Sequence, residues 1–184
     1  MKRSELNSII EDTIKFMEDR GLPLPPFAYW GVPEWKAAGK ENEEIVENML
    51  GWDITDFGSG DFEKIGLTIF TFRNGNFYNK EKYPKPYAEK LLYVNDGQIL
   101  PFHYHWSKME DIINRGGGDL EITLYNCTED DFKDGNGVHF FVSFRFRTFK
   151  IKSLEAFPSD SASFHTLSFG YRIARIHGFL FFVP

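Results

Sequence analysis

Two histidines stand two residues apart in the stretch His103-Tyr104-His105-Trp106-Ser107-Lys108-Met109-Glu110, and that spacing constrains the fold more than any other feature of the chain. Successive side chains of a β-strand point to opposite faces, so residues i and i+2 share one. In an extended segment both imidazoles can therefore meet one ion, and Glu110 can complete a face of its coordination sphere from just beyond the strand. Two imidazoles and a carboxylate, without cysteine, suit iron(II) or manganese with open coordination positions better than a closed zinc site. Gly97 lies six residues before His103, and Gly116 six after Glu110. Glycines there are expected to make the tight turns at the ends of a hairpin that folds back over the metal.

The surrounding pattern is that of a mainly β chain behind a helical N-terminus. Leu6, Ile9, Ile10, Ile14 and Met17 recur at helical spacing after Ser4, the expected N-cap, and Gly21 ends the helix. Pro23, Pro25 and Pro26 then force an extended, aromatic arm over residues 22–30, suited to lie across the body of the protein or to pack on a neighbouring subunit, as in a homodimer. A second helix is predicted over 33–50. Strands are predicted over 66–72, 87–94, 99–105, 109–114 and 120–126, with Asp96-Gly97 as a hairpin turn and Gly116-Gly117-Gly118 as another. Short strands separated by glycine turns point to a β-barrel or sandwich.

At 184 residues the chain can bury one sizeable core. A net charge of -6 argues against nucleic acid as the main partner, because phosphate binding needs a basic face. Cys127 is the single cysteine, which rules out an internal disulfide and makes a reducing, cytoplasmic setting the default. The N-terminus carries no apolar signal region, and the run 178–183 is too short to span a bilayer.

From about residue 132 the text changes. Acids become sparse while Arg145, Arg147, Lys150, Lys152, Arg172 and Arg175 accumulate among Phe140, Phe141, Phe144, Phe146 and Phe149. Val142, Phe144 and Phe146 alternate as in a strand, but no strand-and-turn rhythm follows Leu154. The break is read either as a divergent folded half or as a tail altered by a reading-frame slip.

Gly97, His103, His105, Glu110 and Gly117 stand in the pattern of the first conserved motif of the cupin superfamily. More narrowly, Leu24-Pro25-Pro26-Phe27-Ala28, residues 51–58, 66–71 and 73–75, Tyr87-Ala88-Glu89-Lys90 and residues 103–118 together resemble the cupin-type D-lyxose isomerases, over roughly residues 2–131. The resemblance implies a cupin β-barrel (double-stranded β-helix) over 51–184, with 132–184 divergent, behind a helical arm over 1–50. It implies a manganese-dependent aldose–ketose isomerase interconverting D-lyxose and D-xylulose, and often D-mannose and D-fructose. His103, His105 and Glu110 would then hold the metal, and Lys90 and Lys108 are the catalytic candidates, contacting sugar oxygens or stabilising their developing charge. The family's second motif, a Pro-Pro-Gly turn followed by a fourth ligand histidine, is not reproduced in 132–184. Phe164-His165-Thr166 is the nearest candidate, and His139 and His177 are weaker.

Each residue also has a plainer reading. The histidines can be half-buried strand residues, Lys90 a strand-edge guard and Lys108 a solvated surface charge. Asp111 fits a hydrogen bond to a ligand histidine or a turn contact. Asp56-Phe57-Gly58 lacks the other kinase signatures, the glycine triplet lacks the Lys-Ser/Thr of a phosphate loop, and Asn126-Cys127-Thr128 lacks a secretory context. The rivals to the isomerase are another cupin metalloenzyme, such as a dioxygenase or phosphosugar isomerase, and a sugar- or metal-binding module without turnover.

Overall fold

The computed structural model describes residues 1–103, 111–118, 120–125, 149–155, 169–172 and 178–183. Helix α1 (Arg3–Glu18) opens two residues earlier than the sequence suggests, with Lys2 and not Ser4 at the N-cap. The Glu5 carboxylate accepts the Lys2 amide at 2.7 Å, so Ser4 sits in the first turn and does not cap it. The helix closes on Gly21 at φ 64°, with the Gly21 amide on the Glu18 carbonyl (2.9 Å) and the Leu22 amide on the Met17 carbonyl (3.0 Å).

The single helix expected over 33–50 is instead α2 (Val32–Ala37), a 3-10 turn (Lys40–Asn42) and α3 (Glu43–Glu47). Ala38 is extended at ψ 124°, and the Glu41 carboxylate takes the Gly39 amide at 3.2 Å, so Ala38-Gly39 breaks the helix. Helix α3 ends like α1, with the Leu50 amide on the Ile45 carbonyl (2.8 Å), but the left-handed position falls on Met49 (φ 54°). A side chain there costs about 1 kcal/mol relative to glycine.

The strands are β1 (Gly51–Thr55), β2 (Leu67–Arg73), β3 (Glu89–Val94), β4 (Ile99–His103), β5 (Asp111–Asn114), β6 (Leu120–Tyr125), β7 (Phe149–Glu155), β8 (Phe169–Arg172) and β9 (Gly178–Val183). They form a five-stranded sheet ordered β1-β2-β3-β9-β5 and a four-stranded sheet ordered β4-β8-β6-β7, with every pairing antiparallel except β6–β7. The fold is mainly β, as expected. Two of its strands, β8 and β9, lie beyond Leu154, where the sequence shows no rhythm, and β1 also escaped the sequence reading. The 142–146 alternation lies outside the described residues.

Asp96-Gly97 does make a tight turn, with Gly97 at φ 71° and the Gln98 amide on the Asn95 carbonyl (3.1 Å). It does not make a hairpin. Strand β3 pairs with β2 and β9, whereas β4 pairs with β8, so the turn is a corner between the two sheets. The buried Gln98 side chain holds that corner: its carbonyl accepts the Asn95 amide (2.9 Å) and its amide donates to the Phe62 carbonyl. The Ile99 amide on the Lys64 carbonyl (2.9 Å) fastens the start of β4 to the same loop.

One face of the five-stranded sheet is covered by α1 and the arm. Phe16, Met17, Leu24, Ala28, Phe70, Leu91 and Tyr93 form the buried cluster, with Phe27, Trp52 and Phe72 packed against it. Phe70 is its centre, with rings of Trp52 (4.8 Å), Phe72 (5.1 Å) and Phe27 (5.4 Å) around it. The Trp52 indole donates to the Ala28 carbonyl at 2.8 Å and so pins the arm to β1. The arm therefore lies across its own sheet and spends Leu24 and Ala28 there. Leu67, Leu92, Val94, Leu100, Ile112 and Leu120 are buried on strands of both sheets and lie outside this cluster. No helix among the described residues is long and apolar enough to cross a membrane.

Replacing Phe70 by Ala is expected to lower stability by about 4 kcal/mol, read as a fall in the urea midpoint. Gln98→Leu is expected to cost about 2 kcal/mol by stranding the Asn95 amide and the Phe62 carbonyl. An unchanged midpoint in either variant would contradict the packing described.

Candidate active site

Of the five residues singled out by sequence, the structure describes two. Lys90 is the second residue of β3 and His103 the last of β4; His105, Lys108 and Glu110 lie outside the described residues. Leu91 and Tyr93 face α1, so alternation places Lys90 on the opposite face of the sheet, half-buried, with Leu92 and Val94. Its cross-strand neighbour on that face is the buried Thr71. The next pair outward, Arg73 and Glu89, closes the strand end with a 3.5 Å ion pair.

Both described candidates stand beside a β-bulge. Thr71 faces Lys90 and Arg73 faces Glu89, which leaves Phe72 as the extra residue of β2. On β4, Leu100 faces Tyr171 and His103 faces Phe169, three steps against two, with Pro101 and Phe102 between them. Proline has no amide to give to a ladder, and a bulge is one of the few sheet positions that accept it. Pro101, two residues before His103, was therefore a legible sign of the bulge that sequence reading passed over. Thr71, opposite Lys90, carried no comparable signal.

The hairpin expected to fold back over the metal is not what forms. Strands β4 and β5 belong to different sheets, β4 on β8 and β5 on β9, so residues 104–110 carry the chain from one sheet to the other. His103 and Asp111 are the last and first strand residues flanking that passage. The glycine turn after β5 forms, but it does not make the expected hairpin, because β5 pairs with β9 and β6 with β7 and β8. Gly116 and Gly117 have φ of 129° and 101°, and the buried Asn114 clamps the turn by donating to the Gly118 carbonyl (3.0 Å) and accepting the Gly116 amide (3.0 Å). The other weighed histidines, 139, 165 and 177, lie outside the described residues.

Among the described residues, no three His, Cys, Asp or Glu side chains gather as a metal site. The donor set His103, His105 and Glu110 is nonetheless chemically suited to a divalent ion, offering two borderline nitrogens and a hard oxygen without a competing thiolate. A separate cleft of about 750 Å³ between α1 and residues 56–63 carries Glu5, Asp12, Asp56, Asp61 and Glu63. It begins beyond Thr55, whereas Lys90 lies in the cross-strand row of Thr71 and Gly51 at the other end of β1. The acid-rich cleft is thus distinct from the Lys90 row.

Residues 1–156 match the family model described as D-lyxose isomerase, a span that contains all five candidates. A D-lyxose/D-mannose isomerase of Escherichia coli O157:H7 is 44% identical over 132 residues, covering 71% of this chain. Another of that name, from Serratia proteamaculans, is 43% identical over 136 residues, covering 73%. The chain spans 58% of the length of each of these relatives. With a family match over most of its length and two relatives at 43% and 44% identity, the chain belongs to the D-lyxose isomerase family.

Proposed function

We propose that the chain is a divalent-metal-dependent aldose–ketose isomerase acting on D-lyxose and D-xylulose, and on D-mannose and D-fructose, in the cytoplasm. The observation that carries this reading is the family match over residues 1–156. The names of the two relatives supply the sugars. The passage of the chain between two sheets at Gly97, and again over 104–110, supports a cupin-type closed barrel with the site between its walls.

The reaction moves a proton between two adjacent carbons of an open-chain sugar, and negative charge grows on the neighbouring oxygens as it does so. His103, His105 and Glu110 would hold the ion, with manganese the first choice. When bound, that ion supplies Lewis acidity toward the carbonyl and the adjacent hydroxyl. Lys90, carried on the face of β3 away from α1, donates hydrogen bonds to an oxygen on which charge develops, and Lys108 orients the sugar through a second oxygen. The apolar neighbours Leu92 and Val94 on that face keep water from competing for the ammonium.

The purified 184-residue chain, stripped by a chelator and reloaded with manganese, is expected to convert D-lyxose to ketose only after reloading. His103→Ala is expected to abolish turnover, and Lys90→Met to lower kcat by about 10²–10³-fold at similar metal content. Turnover that survives chelation or His103→Ala would refute the reading. The lack of the family's second-motif turn and fourth ligand histidine in 132–184 favours one alternative, a sugar- or metal-binding module without turnover. Stoichiometric manganese binding with no ketose formed would identify it.

A further inference from the structure

Thr71 stands in a cross-strand row with Gly51 of β1 and Lys90 of β3, on the face of the sheet away from α1. It is 4% exposed, and among the described residues its hydroxyl has no hydrogen-bond partner. Buried hydroxyls are ordinarily paired. That of Thr13 donates to the Ile9 carbonyl at 2.7 Å. The Thr68 hydroxyl is also unpartnered, but Thr68 shares the α1 side of the sheet with Phe70 and Tyr93, where the helix closes it off.

The surroundings of Thr71 are different. Its companions on that face include Ile69, Leu92 and Val94, among which a near-isosteric valine would fit without stranding a polar group. Gly51 is buried, yet a Cβ built on it would meet nothing within 4 Å among the described residues. Directly opposed residues of an antiparallel pair hold their Cβ atoms about 5 Å apart. The Thr71 hydroxyl therefore stands beside the stem of Lys90, with open space on its other flank. A group that both donates and accepts, next to an ammonium that only donates, matches a neutral ligand with adjacent oxygens.

We infer that Thr71 is a sugar-binding residue, its hydroxyl bonded to a substrate hydroxyl adjacent to the oxygen that Lys90 holds. This rests on the isomerase reading of the Lys90 face. Thr71 meets an oxygen whose charge does not change during the reaction, so it holds ground state and transition state alike. Its loss appears in KM, whereas loss of Lys90, which meets the developing charge, appears in kcat.

Thr71→Val and Thr71→Ser in the manganese-loaded 184-residue chain test the assignment. Calorimetry records in parallel the binding of the pentitol made by reducing D-lyxose, which cannot isomerise. Thr71→Val is expected to raise KM for D-lyxose and Kd for the pentitol at least about fivefold each, with kcat within about twofold. Its melting temperature should not fall, because valine removes an unpaired hydroxyl and keeps the shape. Thr71→Ser retains the hydroxyl and should stay within about threefold of the wild type in both constants. Constants unchanged by Thr71→Val, or raised equally by Thr71→Ser, would overturn the proposal. A wild-type chain that binds the pentitol but forms no ketose refutes turnover alone, and the pentitol Kd of Thr71→Val then decides on Thr71. A chain that does neither overturns both.

Discussion

The burial of Phe70 beneath α1 and the arm is the contact on which the rest depends. A sheet edge of three strands, β1 to β3, has no stability in water until one face is covered. Here that cover is the N-terminal helix and a proline-stiffened arm, both local in sequence to one another but distant from the strands. Trp52 shows how tightly cover and sheet are joined, since its ring packs on Phe70 while its indole N–H reaches the arm backbone. With one face closed in this way, the opposite face of β3, which carries Lys90, is left outside that cover.

The second constraint is the corner at Asp96-Gly97. A tight turn between two apolar strands ordinarily returns the chain alongside itself. Here the loop 59–66 captures the outgoing strand through Lys64, and Gln98 fills the angle, so β4 leaves for another sheet. Consecutive strands bearing Lys90 and His103 are thereby placed in different sheets. The two bulges, at Phe72 and across Pro101-Phe102, break the regular alternation beside each candidate residue. Such irregularities cost ladder hydrogen bonds, and sheets keep them where a side chain must be aimed.

What was legible in the sequence follows from interactions of short range. The span of α1, the strands over 66–72 and 87–94, the turns at Gly97 and Gly116, and the ordered blocks that mark the family could all be read from residue types at fixed offsets. The helix predicted over 33–50 failed because Gly39 and the extended Ala38 outweighed a composition rich in helix formers. Strand β1 was passed over because its residues show no clean alternation by themselves. It is a strand because β2 is beside it.

The sequence by itself determined the chemistry on offer: two imidazoles at strand spacing, a carboxylate, and two lysines, in a chain too acidic to seek nucleic acid. Only the tertiary structure decided that the expected hairpins are crossings between sheets, that the arm serves its own chain, and that Val46, Met49, Phe77 and Tyr78 are exposed to water. The reason is physical. Donor type and periodicity are properties of neighbouring residues, whereas strand pairing, sheet choice and surface exposure depend on which distant segments win the competition for each edge and face.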